Sequence, residues 1–488
     1  MNYSIIRYVL SYVMCFEGVF MLLPALVGGL YGEKEAIVYL IVGICTFAIG
    51  YIGRWKKPKK NTFYSKEGFA SVSLSWILLS IIGALPFTIT GEIPSYIDAL
   101  FETISGVTTT GSSILSDVEA LSHCTLFWRS FTHWIGGMGV LVFIMAILPL
   151  AGGSTMHMMR AESPGPTVGK LVPKVKSTAM ILYGIYIGIT LIEMIALLIA
   201  GMNMFEAATL TFGTVGTGGF GILNSSIGSY STAVQIIITV FMIACSLNFN
   251  LYYLLLIRRP KDVLNNEEFR WFLGTVLTAS VLITINVHHM FDSIPKAFQT
   301  VIFQVASLTS STGYATTDFN MWPVFSKTLL VSLMLVGACA GSTGGGMKMS
   351  RAIIVAKAIK NEIFSITHPR SVQKLYLNGK PVSNEASRKV LCYMATCVVI
   401  MLASILCVSI DGKDVTTNIT AVVATFNNIG PGLNEVGPTA NFGSYSAFSK
   451  IVFMFDMLIG RLEIYPMLIL FTQGFEMIRL PKLKRNSL

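Results

Sequence analysis

Residues 204–220 read MFEAATLTFGTVGTGGF. The apolar run at its start is too short for a bilayer crossing, which needs roughly 20 residues, and it leads straight into a cluster of glycine, threonine and valine. Three other stretches share this grammar: IDALFETISGVTTTGS at 97–112, AFQTVIFQVASLTSSTGY at 297–314 and TTNITAVVATFNNIGPG at 416–432. Aligned on one glycine they become SGVTTTG, FGTVGTG, LTSSTG and TFNNIG, ending at Gly111, Gly218, Gly313 and Gly430. Long apolar runs flank each one. The repeating unit is therefore helix, short re-entrant helix, polar segment, helix, and it occurs four times.

Composition sets the medium. The chain has 488 residues, 53% hydrophobic and 12% charged, with a mean hydropathy of +0.66. Soluble domains carry about 25% charged residues. The first apolar run, Tyr8 to Leu30, is too long for a signal-peptide core and reads as a retained span. A net charge of +10 would suit nucleic acid, but 26 of the 35 basic residues fall in five stretches, at 54–66, 151–176, 258–270, 351–390 and 479–488. Connections 88–123 and 201–229 hold none. Basic loops stay cytoplasmic, so both termini and the basic loops are expected inside, with no nucleic-acid partner.

Each unit then begins and ends on the same side, and same-direction repeats are related by an axis along the membrane normal. The expected architecture is an all-α polytopic membrane protein with four pore repeats in pseudo-fourfold arrangement. An N-terminal transmembrane hairpin spans 1–66, and the repeats span 67–176, 177–270, 271–387 and 388–488. Ten spanning helices and four half-spans are expected.

A cation entering hydrocarbon must receive oxygens in place of water, and inward-facing backbone carbonyls of a short extended segment supply them. Glycine allows the dihedrals such a segment needs. The candidate ion-binding residues are Thr109, Thr110 and Gly111; Val215, Gly216, Thr217 and Gly218; Ser311, Thr312 and Gly313; and Asn428, Ile429 and Gly430. None is acidic, whereas calcium sites usually use carboxylates, so a weakly hydrated monovalent ion is expected. Glu102, Glu206 and Asp117 lie outside or near the mouth, where they could concentrate cations. The eight cysteines form no CxxC pair, the six histidines show no ligand spacing, and no phosphate-binding GxxxxGK[ST] occurs. Neither an enzyme nor a covalent cofactor is indicated; the monovalent cation would be the transported substrate.

Two features sit where lipid should be. Residues 337–351, GACAGSTGGGMKMSR, interrupt an apolar stretch with five glycines among 337–346 and Lys348 after them. Irregular backbone at membrane depth is tolerated only where protein or a water-filled cavity covers it. The stretch reads as a mobile gate or as a static packing kink. Arg461 lies near the middle of the apolar run 448–473. A central arginine costs about 2.5–3.5 kcal/mol on insertion scales and faces a cavity or a partner. Asp456, Glu463 and Glu193 are the candidate partners.

On these residues the chain resembles the Trk/Ktr/HKT potassium transporter superfamily, specifically the bacterial Trk-type membrane subunit. The four glycine segments, GACAGSTGGGMK and the run MLIGRLEIYP at 457–466 carry the resemblance, and the N-terminal hairpin matches the Trk branch. The resemblance implies potassium uptake across the bacterial cytoplasmic membrane, a homodimer with one pore per subunit, and a cytosolic nucleotide-binding regulatory ring of the potassium-conductance-regulating type. The alternative is a proton- or sodium-coupled potassium symporter of the same fold. It further implies that Gly341, Ser342, Thr343, Gly344, Gly345, Gly346 and Lys348 form an intramembrane gating loop, and that Arg461 is a pore electrostatic barrier below the filter. In plant relatives a serine in place of the first filter glycine goes with sodium preference; Gly111 stands here. The fourth segment departs most from the pattern, with Asn-Asn-Ile before its glycine and Pro431 after it. Deleting part of the loop is expected to raise flux and leave ion preference intact, because the filters lie further out.

Overall fold

The computed structural model describes residues 3–55, 65–139, 175–371, 373–468 and 470. The basic stretches at 56–64, 151–174 and 479–488, which carry much of the orientation argument, lie outside the described residues.

Six helices among them are long and apolar enough to cross a membrane: Tyr3–Tyr31, Ala36–Gly53, Glu67–Ile89, Ser177–Ile199, Glu267–Met290 and Asn384–Asp411. Thr232–Cys245 with Phe249–Leu256, a pair bent by 93°, makes a seventh if counted as one span. Residues 140–174 and 471–488, which follow two of the ten expected spans, lie outside the described residues. Val324–Met334 stops at the glycine stretch and resumes as Met349–Thr367. Among the described residues, His123–Gly137 and Ala447–Leu462 have 15 and 16 residues. The outer helices expose apolar side chains such as Ile37, Ile44, Ile192, Ile195, Val399 and Leu406, an arrangement that suits lipid rather than water.

The N-terminal helices cross closely enough to exclude side chains. A Cβ on Gly18 would lie 2.6 Å from the Gly43 carbonyl oxygen, and one on Gly50 2.7 Å from that of Ser11. Small residues at a helix crossing let backbones approach, which replaces the hydrophobic drive that lipid removes. Glu33, in the turn of this hairpin, accepts the N–H groups of His123 (2.7 Å) and Cys124 (2.9 Å) and so ties the hairpin to the first repeat.

Four short helices carry the repeats: Tyr96–Val107, Met204–Val215, Ile294–Thr309 and Val415–Phe426. Each begins at a side-chain cap, from Ser95, Asn203, Ser293 and Asp414 in turn. Such a cap satisfies one of the orphan N–H groups at a helix start. The Thr417 hydroxyl first, then the Thr417 N–H, holds the Asp414 carboxyl below its usual range against the opposing effect of burial.

One element departs from the all-α expectation. Leu375–Leu377 and Lys380–Val382 pair as an antiparallel hairpin. Asn378 and Gly379 form its turn with φ of 52° and 71°, the positive values a two-residue type I′ turn requires.

Candidate ion pathway

The four short helices end identically. Thr109, Thr217, Ser311 and Asn428 all take positive φ, between 53° and 58°. Their N–H groups bond to the carbonyls of Gly106, Thr214, Leu308 and Thr425, three residues back. The next N–H, on Thr110, Gly218, Thr312 and Ile429, reaches five residues back at 2.8, 2.8, 2.9 and 2.9 Å. This is the Schellman termination, which normally places glycine at the left-handed position. Here that position holds an oxygen-bearing side chain each time, at a backbone cost of about 1–3 kcal/mol each. The glycines come two residues later: Gly111, Gly219, Gly313 and Gly430, with φ of 80°, 77°, 88° and 95°.

This geometry corrects the second segment by one residue. Gly219, not Gly218, is the counterpart of Gly111, Gly313 and Gly430. Val215 belongs to the short helix and Gly216 caps it. The sequence GTGG offers two glycines in a row, and periodicity alone gives no reason to prefer the later one. The fourth segment, despite its divergent residues, keeps the same backbone as the others.

The segments close into a ring in chain order. A Cβ on Gly111 would strike the Gly218 carbonyl oxygen, one on Gly219 that of Thr312, and one on Gly313 that of Ile429. One on Gly430 would lie 2.9 Å from the Thr110 carbonyl oxygen. The four struck carbonyls are equivalent: each belongs to the residue just before its own segment's glycine. All the left-handed residues are buried. Among the described residues the Thr109 hydroxyl and the Asn428 side-chain oxygen lie buried with no hydrogen-bond partner, and the Asn428 oxygen packs against Gly345 and Gly460. Each short helix also directs its negative C-terminal end, about −0.5 charge, at the ring.

Behind the ring stands a frame that the sequence did not reveal. His133 Nε2 accepts the Phe220 N–H at 3.2 Å, so its Nδ1 carries the proton and donates to the Gly106 carbonyl at 2.7 Å. The ring of His133 fills the space that a side chain at Gly218 would need. Glu102 is not exposed at the outer side of the ring. It is buried and paired with Arg129 at 2.6 Å, and it accepts the Ile114 N–H (3.0 Å) and the Ser113 hydroxyl (2.9 Å). Arg129 donates to the Gly221 carbonyl at 2.9 Å and lies 3.7 Å from the centre of the Phe220 ring. The pair thus fastens the outer ends of the first two segments to each other. Asp117 is an ordinary surface acid that binds Asn224 at 2.8 Å, and Glu206 lies in the first turn of its helix, where the Asn203 side chain caps its N–H.

Arg129→Met leaves the Glu102 carboxylate buried without its cation. Breaking one side of a buried pair costs about 3–5 kcal/mol. The expected result is a markedly lower melting temperature in detergent, partly restored in the Glu102→Gln/Arg129→Met double variant. A single variant that melts like the parent contradicts this role.

Below the ring the inner helix of the third repeat breaks, and residues 337–348 cross under it. The loop bonds to every neighbour. Cys339 N–H reaches the Ser246 carbonyl (3.0 Å), and the Gly341 carbonyl accepts the Phe249 N–H (3.0 Å). These contacts lie at the 93° bend of Thr232–Cys245 with Phe249–Leu256, so the bend and the loop fit one another. Gly345 N–H donates to the Ser311 hydroxyl (3.0 Å), and Met347 N–H to the Asn427 side chain (3.2 Å). The Lys348 ammonium, fully enclosed, donates back to the carbonyls of Gly344 and Gly345.

Arg461 crosses this floor. Its guanidinium donates to the Thr343 carbonyl in the loop and to the Gly136 (2.5 Å) and Gly137 (2.7 Å) carbonyls at the end of His123–Gly137. The acids considered as its partners are engaged elsewhere or apart: Asp456 accepts from Ser404 (2.7 Å), Glu463 pairs with Arg351, and Glu193 is buried in the helix Val175–Ile199.

Four helical units closing on one ring of backbone carbonyls, beside helices apolar enough to cross a bilayer, define a polytopic membrane protein. Residues 36–478 match the family model described as TrkH, cation transport protein. The chain is 36% identical over 480 residues to the Trk system potassium uptake protein TrkH of Salmonella typhimurium, covering 97% of this chain and 99% of that one. It is 33% identical to TrkG of Escherichia coli, over 96% of this chain and 98% of that one. The crystal structure of the potassium transporter TrkH from Vibrio parahaemolyticus superposes with a TM-score of 0.87 at 32% identity, covering 97% of this chain and all of that one. The chain belongs to the TrkH family of cation transport proteins.

Proposed function

We propose that this chain takes up potassium across the bacterial cytoplasmic membrane through a selective, channel-like pore. The observation that carries this reading is the ring of four equivalent carbonyls, each set by a left-handed residue and a positive-φ glycine. Thr109–Gly111, Thr217–Gly219, Ser311–Gly313 and Asn428–Gly430 are its selectivity filter. Neutral oxygens in a fixed ring replace the hydration of a weakly hydrated ion, and the relatives named for potassium uptake support the choice of ion. Residues 341–348 are the gate and Arg461 the barrier beneath the filter. A homodimer working with a cytosolic nucleotide-binding regulatory ring, both termini inside, completes the reading. Potassium-limited growth of a transport-deficient cell expressing this chain, with and without that regulator, tests it: growth rescued only by the pair supports the proposal, and no rescue under either condition sinks it.

The contacts of the loop alter one expectation. Because Gly345 and Met347 donate to Ser311 and Asn427 at the filter, deleting residues within 341–346 should raise flux and also weaken potassium preference. Flux and bi-ionic potentials measured on one deletion variant check both effects. A conducting variant with parental selectivity would show that the loop bonds do not support the filter.

A further inference from the structure

Both ends of the loop are held by a carboxylate that takes no part in the ring. Glu268, the second residue of helix Glu267–Val287, is buried. One of its oxygens, Oε1, accepts the N–H of Ala340 at 2.7 Å and the N–H of Ser350 at 3.0 Å. These two donors bracket Gly341, Gly344, Gly345 and Gly346, and Met349 N–H closes the same neck on the Ala338 carbonyl at 3.0 Å. The neighbouring Glu267 serves the opposite side. Its Oε2 accepts the Asn378 N–H at 3.2 Å, and its own N–H donates to the Asn378 side chain at 2.6 Å. It also pairs with Lys357, which donates to the Tyr376 carbonyl at 2.8 Å. Two consecutive acids therefore hold the loop's neck on one side and the Asn378–Gly379 hairpin on the other.

We propose that Glu268 is the positioning residue that fixes the loop closed, and that the hairpin 375–382 acts on that staple through Glu267. The inference rests on the reading of the loop as a gate. The physical case is one of leverage. Four glycines between the two donors give the loop little preference of its own. One oxygen shared by both donors ties the two ends of the neck to a single point, so both bonds depend on the reach of one side chain. Motion of the hairpin pulls on the first turn of Glu267–Val287, and the loop's neck is bonded to that same turn.

Cys339 gives a readout separate from transport, because it lies in the loop and is 1% exposed. Glu268→Asp keeps the charge but shortens the reach by one methylene. Glu268→Gln keeps an accepting oxygen at full reach. In the full chain reconstituted without a partner, Glu268→Asp should speed labelling of Cys339 by a small thiol reagent about tenfold, as expected for two lost hydrogen bonds. Basal flux should rise with it, and Glu268→Gln should stay near the parent on both measures. Parental labelling in a folded Glu268→Asp protein would overturn the staple. Fast labelling in Glu268→Gln would overturn it too, since charge rather than the shared acceptor would then hold the neck. Faster labelling with unchanged flux leaves the staple standing and overturns the gate reading instead. Asn378→Ala, a surface change, should also speed labelling; a parental rate there removes the hairpin from the proposal.

Discussion

Gly111→Ser and Gly219→Ser should each reduce the preference for potassium over sodium by about tenfold or more, and at Gly219 a side chain meets the Thr312 carbonyl. Two effects add at each position. A non-glycine residue in the left-handed region is strained by roughly 1–2 kcal/mol, and the new Cβ displaces a ring carbonyl. Since about 1.4 kcal/mol is a factor of ten in an equilibrium constant, a fraction of that disturbance reaching the bound ion is enough. Gly218→Ser acts differently, because its Cβ meets the His133 ring rather than a carbonyl of the next segment. It should depress folded yield before it changes ion preference. Bi-ionic reversal potentials of the three variants separate these outcomes. Unchanged potentials at Gly111 and Gly219 would mean that the ring is not the filter.

Arg461→Ala should raise potassium flux per molecule roughly tenfold. Three donations from one charged group join the loop to the end of His123–Gly137, and bonds to charged groups contribute about 1.5–3 kcal/mol each. Their loss frees the loop, and under the proposed function a positive charge also leaves the cation path. Arg461→Lys divides the two effects. It keeps the charge but cannot span three carbonyls, because lysine lacks the planar fork of arginine. A latch predicts that lysine behaves like alanine; a purely electrostatic barrier predicts that it behaves like the parent. Flux normalised to purified protein is the readout, and lower folded yield with parental flux per molecule would assign Arg461 a structural role alone.

What the sequence disclosed and what it hid have physical reasons. Four short apolar runs ending in Gly/Thr clusters declare re-entrant helices, because a segment too short to cross must turn back. The interrupted helix at 337–348 was equally plain, since glycines and a lysine contradict lipid exposure. Register was harder. Gly218 and Gly219 are adjacent, and only the left-handed Thr217 before them shows which one closes the ring. The bend after Cys245 was written in Ser246, Asn248 and Asn250, polar residues inside an apolar run, but such residues also occur in straight helices that bond back to their own carbonyls. The hairpin had its Asn-Gly signal at 378–379. Glu102 and Arg129 lie 27 positions apart, and nothing in a single sequence pairs them. The same holds for Glu268 with the two N–H groups it shares.

The proposed function makes this chain a potassium-selective passive pore. The most direct test is the reversal potential of the purified protein in liposomes under opposing gradients of potassium, sodium and protons. The account predicts a reversal potential that follows the potassium gradient and does not move when the sodium or proton gradient is inverted. A reversal potential that shifts with sodium or with pH would contradict it and establish coupled transport in its place.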